Sequence, residues 1–182
     1  LVACKHPAKA PSSAASLPPI ESTTLASSGY SACAIERAGT VICWGEGRMT
    51  NDDEKVSSAI SRRIEGLLDV VEVAVPGTFG VARTRSGNVM YWFDGPARIN
   101  EKIAGATHIA APALGMHACA IIADGEVQCF GAPWGALLGA KINPSPKWAT
   151  VLVPGLKGVV QLALGMFHSC ARTGDGEVSC WG

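Results

Sequence analysis

The feature that most constrains the fold of this chain is a ten-residue spacing between cysteines. It occurs three times, with a glycine six residues after the first cysteine, a valine eight residues after it and an aromatic residue directly after the second: Cys33–Cys43, Cys119–Cys129 and Cys170–Cys180. A fourth copy has Val81 and Tyr91 in place of both cysteines. Paired replacement is expected if the two positions are in contact. The chain is therefore predicted to be a repeat protein with a disulfide framework, which forms in an oxidising compartment.

Each copy of the spacing predicts a β-hairpin. If residues i and i+10 are opposed, the turn is centred on i+5 and is followed by a glycine in every copy: Gly39, Gly87, Gly125 and Gly176. Hairpin loops of odd length commonly end with a residue in the left-handed region, where glycine has no steric penalty. Ile35 opposite Val41, and Ile121 opposite Val127, are then expected beside the cysteines on the same face of the hairpin.

Opposed cysteines in such a hairpin lie close enough to form a disulfide, and each bridge would contribute about 2–3 kcal/mol to stability. The alternatives are reduced thiols or a metal site. Zinc ligands favour spacings of two to four residues, which the six paired cysteines do not have, so the disulfide interpretation is preferred.

The composition limits the possible partners. Charged residues make up 16% of the chain and the formal net charge is zero. There is no run of basic residues, and no apolar stretch is long enough to cross a bilayer.

The sequence also has no recognisable catalytic motif. No serine, cysteine or lysine has a recognisable activating context, and the glycines belong to turns rather than to a phosphate-binding loop. The sequence therefore predicts no catalytic, cofactor or metal site and no nucleic-acid partner.

The seventh cysteine, Cys4, lies outside the repeat, in the run Leu1-Val2-Ala3-Cys4. This run resembles the lipobox of bacterial lipoproteins, so residues 1–3 are interpreted as the remnant of a signal peptide and Cys4 as the acylated residue. Residues 4–19 are rich in Pro, Ala and Ser and would form a lipidated tether. Lys5 after the cysteine implies outer-membrane placement in a Gram-negative bacterium. The alternative is a free or intermolecular thiol.

The segments between hairpins complete a four-stranded unit. Apolar, β-branched runs precede the hairpins, as at Val70 to Val75 and Val159 to Leu164, and further short strands are expected at Arg63-Ile64 and Val151 to Val153. No segment has a convincing helical pattern. Four strands repeated at this length are typical of β-propeller blades, so the fold is predicted to be all-β, with about three and a half blades in residues 20–182.

The repeats resemble those of the regulator of chromosome condensation, in the cysteine-bridged form of bacterial extracytoplasmic proteins. The segment from Gly165 to Gly182 matches best, through His168, Cys170-Ala171, Gly176, Val178 and Cys180-Trp181-Gly182. The Gly-Gln-Leu-Gly loop of the family is reduced to Gly135 to Gly139, and in the first repeat a charged stretch from Arg48 to Lys55 replaces it. The resemblance implies a ring of usually seven blades, so we expect this chain to be incomplete at its C-terminus.

Several polar and aromatic residues are candidates for functional sites. His117 and His168 share one repeat position and are therefore interpreted as packing residues between blades. The acidic cluster Asp52 to Glu54 lacks the oxygen ligands and turn glycine of a calcium loop. Trp44, Trp92, Phe130 and Trp181 share a position that indicates blade core. Trp134 and Trp148 fall outside it and are the predicted partner-contact residues.

The leading hypothesis from the sequence is a non-catalytic binding or scaffold module of a cell-envelope lipoprotein. Its propeller loops would recognise a protein or a glycan, and its only contact with a membrane would be the lipid anchor on Cys4. One alternative is a propeller scaffold or accessory domain of an enzyme whose catalytic part lies outside this chain. Guanine-nucleotide exchange, which the founding family member performs, is the less favoured alternative because a disulfide-bridged lipoprotein does not meet cytosolic GTPases.

Overall fold

The structure, a computed structural model, describes residues 22–45, 58–77, 79–93, 95–142 and 147–182. Cys4, the tether and the acidic cluster Asp52 to Glu54 lie outside these residues. The described residues form fifteen β-strands in four antiparallel sheets and contain no α-helix. None of the described segments forms a helix long and apolar enough to span a membrane.

Each sheet is called a blade here and is made of consecutive strands. Blades 1 and 2 contain β1 (Ser22–Ser27), β2 (Ser31–Glu36), β3 (Val41–Gly45), β4 (Ser58–Arg63), β5 (Val70–Ala74), β6 (Gly80–Thr84), β7 (Val89–Trp92) and β8 (Arg98–Ile99). Blades 3 and 4 contain β9 (His108–Ala110), β10 (His117–Ile121), β11 (Val127–Gly131), β12 (Ala149–Leu152), β13 (Val159–Leu164), β14 (Ser169–Thr173) and β15 (Val178–Trp181). A short 3-10 turn, Ala123–Gly125, joins β10 to β11.

The four blades fan out from their first strands. Within every blade each strand pairs with the next one in the chain, and the first strands β1, β5, β9 and β13 contact one another in succession. Wedge-like sheets that meet at their first strands are the arrangement of a β-propeller. The prediction of an all-β partial ring is thereby confirmed, with three blades of four strands and one of three among the described residues.

The hairpin register agrees with the spacing of the sequence. Cys33 is directly opposite Cys43, Val81 opposite Tyr91, Cys119 opposite Cys129, and Cys170 opposite Cys180. The structure contains a disulfide at each of the three cysteine pairs, with Cα–Cα distances of 4.0, 4.0 and 4.1 Å. Ile35 faces Val41 and Ile121 faces Val127, as expected.

The glycines of the first three hairpin turns have a second role that the sequence did not show. All four hairpin glycines have a positive φ, between 67° and 98°. A Cβ on Gly39 would lie 2.9 Å from the Cα of Asp69, at the start of the next blade. The carbonyl of Gly39 also accepts a hydrogen bond of 2.9 Å from the backbone of Val70, and that of Gly87 one from Ala106. The turn therefore docks each blade onto the following one.

Blade 3 departs from the predicted turn because Asp124 is also left-handed, with a φ of 57°. Aspartate is one of the few residues besides glycine that enter this region, since its short side chain interacts with the local backbone. In blade 4 the Thr173 hydroxyl donates a hydrogen bond to the Asp175 carboxylate in the hairpin turn.

Three apolar clusters fill the spaces between successive blades. The disulfides and the repeated valine face the following blade, whereas the repeated aromatic residue faces the preceding one. Trp92 and Phe130 are buried as predicted, but Trp44 and Trp181 are only partly buried. Trp44 lies on a flank of blade 1 that no described sheet covers, and Trp181 lies on β15, beside which no fourth strand is described.

Candidate ligand-binding clefts

Blade 2 has a phenylalanine or a tyrosine at three repeat positions where each of the other blades has a different kind of residue. Phe79 stands where blades 3 and 4 have His117 and His168, and Tyr91 stands where the others have their second cysteine. Phe93 stands where the other blades have a glycine with a φ between 111° and 145°. A Cβ at those glycines would lie 2.2–2.4 Å from a carbonyl oxygen, so blade 2 must differ in backbone to accept Phe93.

These residues meet Phe130 and Trp148 of blade 3 in one aromatic cluster between the two blades. Trp148 contacts all four other rings: it stacks on Tyr91 at an interplanar angle of 24°, and its centroid is 5.1 Å from Phe93 and 5.2 Å from Phe79. Phe79 and Phe130 are fully buried. Tyr91, Phe93 and Trp148 are half-buried, so part of each ring surface faces solvent.

Two clefts share the Tyr91–Trp148 ring pair, because both residues line both of them. The arginine cleft has a volume of about 500 Å³ and is also lined by Phe93, Pro96, Arg98 and Lys147. The lysine cleft has a volume of about 360 Å³ and is also lined by Asn100, Glu101, Lys102 and Thr150. Both volumes lie in the roughly 300–1,000 Å³ range of sites for small organic ligands.

The charge around the clefts is mainly positive. Arg98, Lys102 and Lys147 are exposed cations in the cleft linings, and Glu101 is the one carboxylate among the described lining residues. The Asn100 side chain donates a 3.2 Å hydrogen bond to the Thr150 hydroxyl. This contact joins the loop after β8 to β12, so the lysine cleft has a wall formed by two blades.

The structure separates the two tryptophans that the sequence singled out. Trp148 packs in the aromatic cluster and lines both clefts. Trp134 lies in the turn after β11, is 58% exposed and lines neither cleft. Tyr91 and Phe93 were not predicted as site residues. The sequence feature that could have indicated them is that blade 2 has Phe79, Tyr91 and Phe93 at positions where the other repeats have different residues.

His117 and Ser169 form a buried contact between blades 3 and 4. The His117 Nε2 and the Ser169 Oγ are 3.0 Å apart, and both side chains are fully buried. Burial lowers the pKa of His117 to about 4, and the nearby His168 contributes to the shift. Serine and histidine at this distance can form a nucleophile and base. Here neither can meet a substrate, and His117 Nδ1 has no hydrogen-bond partner among the described residues, so the pair is structural.

His168 behaves differently from His117 although it has the same repeat position. It is exposed, and its ring lies over Gly165, where an added Cβ would be 2.3 Å from the ring. The expectation of packing between blades is met by His117 but not by His168. The reason is that no further sheet among the described residues covers the flank of blade 4.

A second polar contact joins blades 2 and 3 at their first strands. The Glu72 carboxylate lies 2.8 Å from Arg83 Nε and 2.5 Å from His108 Nδ1, and it accepts a 3.1 Å hydrogen bond from the Ile109 backbone. Burial raises the pKa of Glu72, but the hydrogen bonds from His108 and Arg83 outweigh it and the net shift is downward. The hydrogen bond to Glu72 raises the pKa of His108. No group of three His, Cys, Asp or Glu side chains within the described ranges could bind a metal ion.

Comparison with known proteins agrees with this architecture. Residues 159–182 match the model of the regulator of chromosome condensation (RCC1) repeat. The chain is 28% identical over 184 residues to the mitochondrial RCC1 domain-containing protein RUG3 of Arabidopsis thaliana, covering 87% of this chain and 41% of that protein.

Solved structures show the same fold. Yeast RCC1 (Prp20), seen bound to Kap60, superposes with a TM-score of 0.72 at 16% identity over 91% of this chain and 44% of that one. Human WBSCR16 superposes with a TM-score of 0.70 at 20% identity over 87% of this chain and 46% of that one. The chain thus spans less than half the length of these relatives. Its residues 159–182 match an RCC1 repeat, and its fold is that of part of a β-propeller.

Proposed function

We propose that this chain is a non-catalytic binding module of a bacterial cell envelope, displayed by a lipid on Cys4, which binds a protein or glycan at the two clefts around Trp148. The observation that carries the proposal is the half-exposed aromatic surface between two clefts with cationic rims. Aromatic and arginine side chains are enriched where proteins bind partners, because they combine a large apolar area with directed polar contacts.

Three further features support this proposal. The disulfides and inter-blade hydrogen bonds provide a rigid scaffold, on which connecting segments commonly carry recognition. The buried His117–Ser169 pair offers no accessible nucleophile. Yeast RCC1, which shares this fold at low sequence identity, has been seen bound to another protein, Kap60.

Binding at the clefts can be tested with the chain labelled with 5-fluorotryptophan. Fluorine NMR separates the five tryptophans, and Trp148→Phe and Trp134→Phe assign the two resonances of interest. Titration with polysaccharide and protein fractions of the host envelope should shift the resonance of Trp148 and leave that of Trp134 in place. If neither fraction moves the Trp148 resonance, the clefts are not the binding site.

The anchor requires a separate experiment in the host. Cells expressing the native gene or Cys4→Ser would be labelled with an alkyne-bearing fatty acid and fractionated. We expect label and membrane association for the native protein, and loss of both in the variant. A native protein that carries no label would refute anchoring at Cys4 without affecting the clefts.

A further inference from the structure

We propose that the two clefts bind a linear acidic polysaccharide made of uronic acid residues. This inference rests on the proposed binding function and specifies its ligand. It follows from the joint presence of ring surfaces and positive charge: Tyr91 and Trp148 expose stacked rings, and three cations surround them. A uronic acid residue combines an apolar C–H face, which matches an aromatic ring, with a carboxylate, which matches a cation.

The arrangement of the clefts favours a polymer over a single small molecule. Tyr91 and Trp148 line both clefts, so a ligand that fills both contacts this ring pair in each of them. In the arginine cleft it would meet Arg98 and Lys147, and in the lysine cleft Lys102. A polymer of uronic acid residues presents a ring face and a carboxylate in each cleft, and each cleft offers an aromatic ring and at least one cation.

The charge distribution sets the ionic character of the ligand. Arg98, Lys102 and Lys147 are exposed, and none of them forms an ion pair with an acidic side chain in the described part of the chain. Glu101 is the one carboxylate in the described lining of the lysine cleft. Exposed cations attract an anion mainly through its local charge, so binding should weaken as salt concentration rises. A neutral polysaccharide would use the rings alone.

A peptide fits the clefts less well. A peptide that binds by adding a strand needs a free sheet edge, and the outer strand beside both clefts is β8, which has only two residues, Arg98–Ile99. Single-stranded nucleic acid also combines rings with charge, but it needs a cationic groove along its backbone. The three cations here are divided between two clefts, so the acidic polysaccharide is preferred.

The experiment measures binding of hexagalacturonate to the purified oxidised chain by calorimetry and by the Trp148 fluorine resonance. Maltohexaose is the neutral comparison, and hexaglutamate and oligothymidylate represent the peptide and nucleic-acid classes. We expect saturable binding of hexagalacturonate that is at least about tenfold tighter than binding of maltohexaose, because charge-assisted hydrogen bonds strengthen the contact. The double variant Arg98→Gln/Lys147→Gln should weaken it about tenfold or more.

The matched control is Lys157→Gln, which removes an exposed lysine outside both clefts and should leave the affinity unchanged. Equal or tighter binding of hexaglutamate or oligothymidylate would overturn the polysaccharide assignment and leave the binding function intact. So would a Trp148 resonance that responds to an envelope fraction but not to hexagalacturonate. The proposed function itself fails if no envelope fraction shifts the Trp148 fluorine resonance.

Discussion

At the scale of single residues, His117 shows how one side chain joins two blades. It lies against Ser169 of the next blade. Between blades 2 and 3 the equivalent positions are Phe79 of blade 2 and Ala118 of blade 3, which pack in one apolar cluster. The repeat position therefore specifies a contact between blades, which can be polar or apolar. The polar version makes the structure sensitive to pH, because the imidazole is buried in its neutral form.

We expect the His117 contact to weaken as the pH falls. Its pKa is about 4 in the folded chain and about 6.5 when unfolded, so below pH 6.5 the unfolded state gains a proton that the folded state does not. The contribution is present above pH 6.5 and falls by on the order of 3 kcal/mol by pH 4. Urea unfolding between pH 4 and 8 measures it. His117→Phe/Ser169→Ala, which copies the Phe79/Ala118 pair, should have a flatter profile; an equally steep one would contradict the assignment.

His108 should titrate in the opposite direction. Its hydrogen bond to Glu72 raises its pKa, so the stabilisation is complete below about pH 6.5 and is lost as the pH rises through the raised value. Glu72→Gln should return the pKa of His108 towards that of a free histidine. Proton NMR titration of the imidazole resonances measures this shift without interference from His117. An unchanged pKa in Glu72→Gln would show that the carboxylate is not its cause.

At the scale of elements, the sequence predicted the hairpins well and the clefts poorly. The opposition of Cys33 and Cys43 depends on ten residues of local chain, so spacing alone determined it. The clefts are made by the continuous segment from β7 to the loop after β8 and by residues at the start of β12, which lie far from that segment in the chain. Trp148 was found because it broke the repeat, whereas the contact of Glu72 with His108 depends on how two blades pack and has no local signal.

The hairpin glycines allow the turn and the docking of blades to be separated. Gly125 and Gly176 both have a positive φ, but a Cβ on Gly125 would lie 2.5 Å from the Val159 nitrogen, whereas one on Gly176 meets nothing. Gly176→Ala should therefore cost only the backbone strain, about 1 kcal/mol. Gly125→Ala should cost clearly more, because blade 4 must move away. Equal losses of stability in urea unfolding would argue against the docking role.

The three disulfides should differ in their resistance to reduction. Cys33, Cys43, Cys119 and Cys129 are fully buried, whereas Cys180 is exposed. Thiol exchange requires access to a sulfur atom, so a mild reductant without denaturant should open Cys170–Cys180 first. Alkylation followed by peptide mass spectrometry identifies the order. Labelling of Cys33 or Cys119 before Cys180 would contradict the burial of the first two bridges.

At the scale of the whole molecule, blade 4 has an open flank, defined by His168, Val178 and the Cys170–Cys180 bridge. The repeated valine is fully buried in the first three blades, at Val41, Val89 and Val127, but Val178 is 63% exposed. His168 is exposed, although its equivalent His117 is buried against the next blade. In every preceding blade the same side chains are covered by the next sheet, so this flank has the same apolar surface as the buried ones but no described sheet against it.

If the flank is open in the isolated chain, that chain should self-associate through it. Burial of exposed apolar side chains contributes about 1.5–3 kcal/mol each, so a second copy gains by covering Val178. We expect sedimentation velocity to show concentration-dependent dimers that Val178→Lys abolishes without lowering the melting temperature. Val127→Lys, at the same repeat position but fully buried, should instead prevent stable folding, because it places an unpaired charge in the core. A melting temperature lowered as strongly by Val178→Lys would mean that the flank is already covered within this chain.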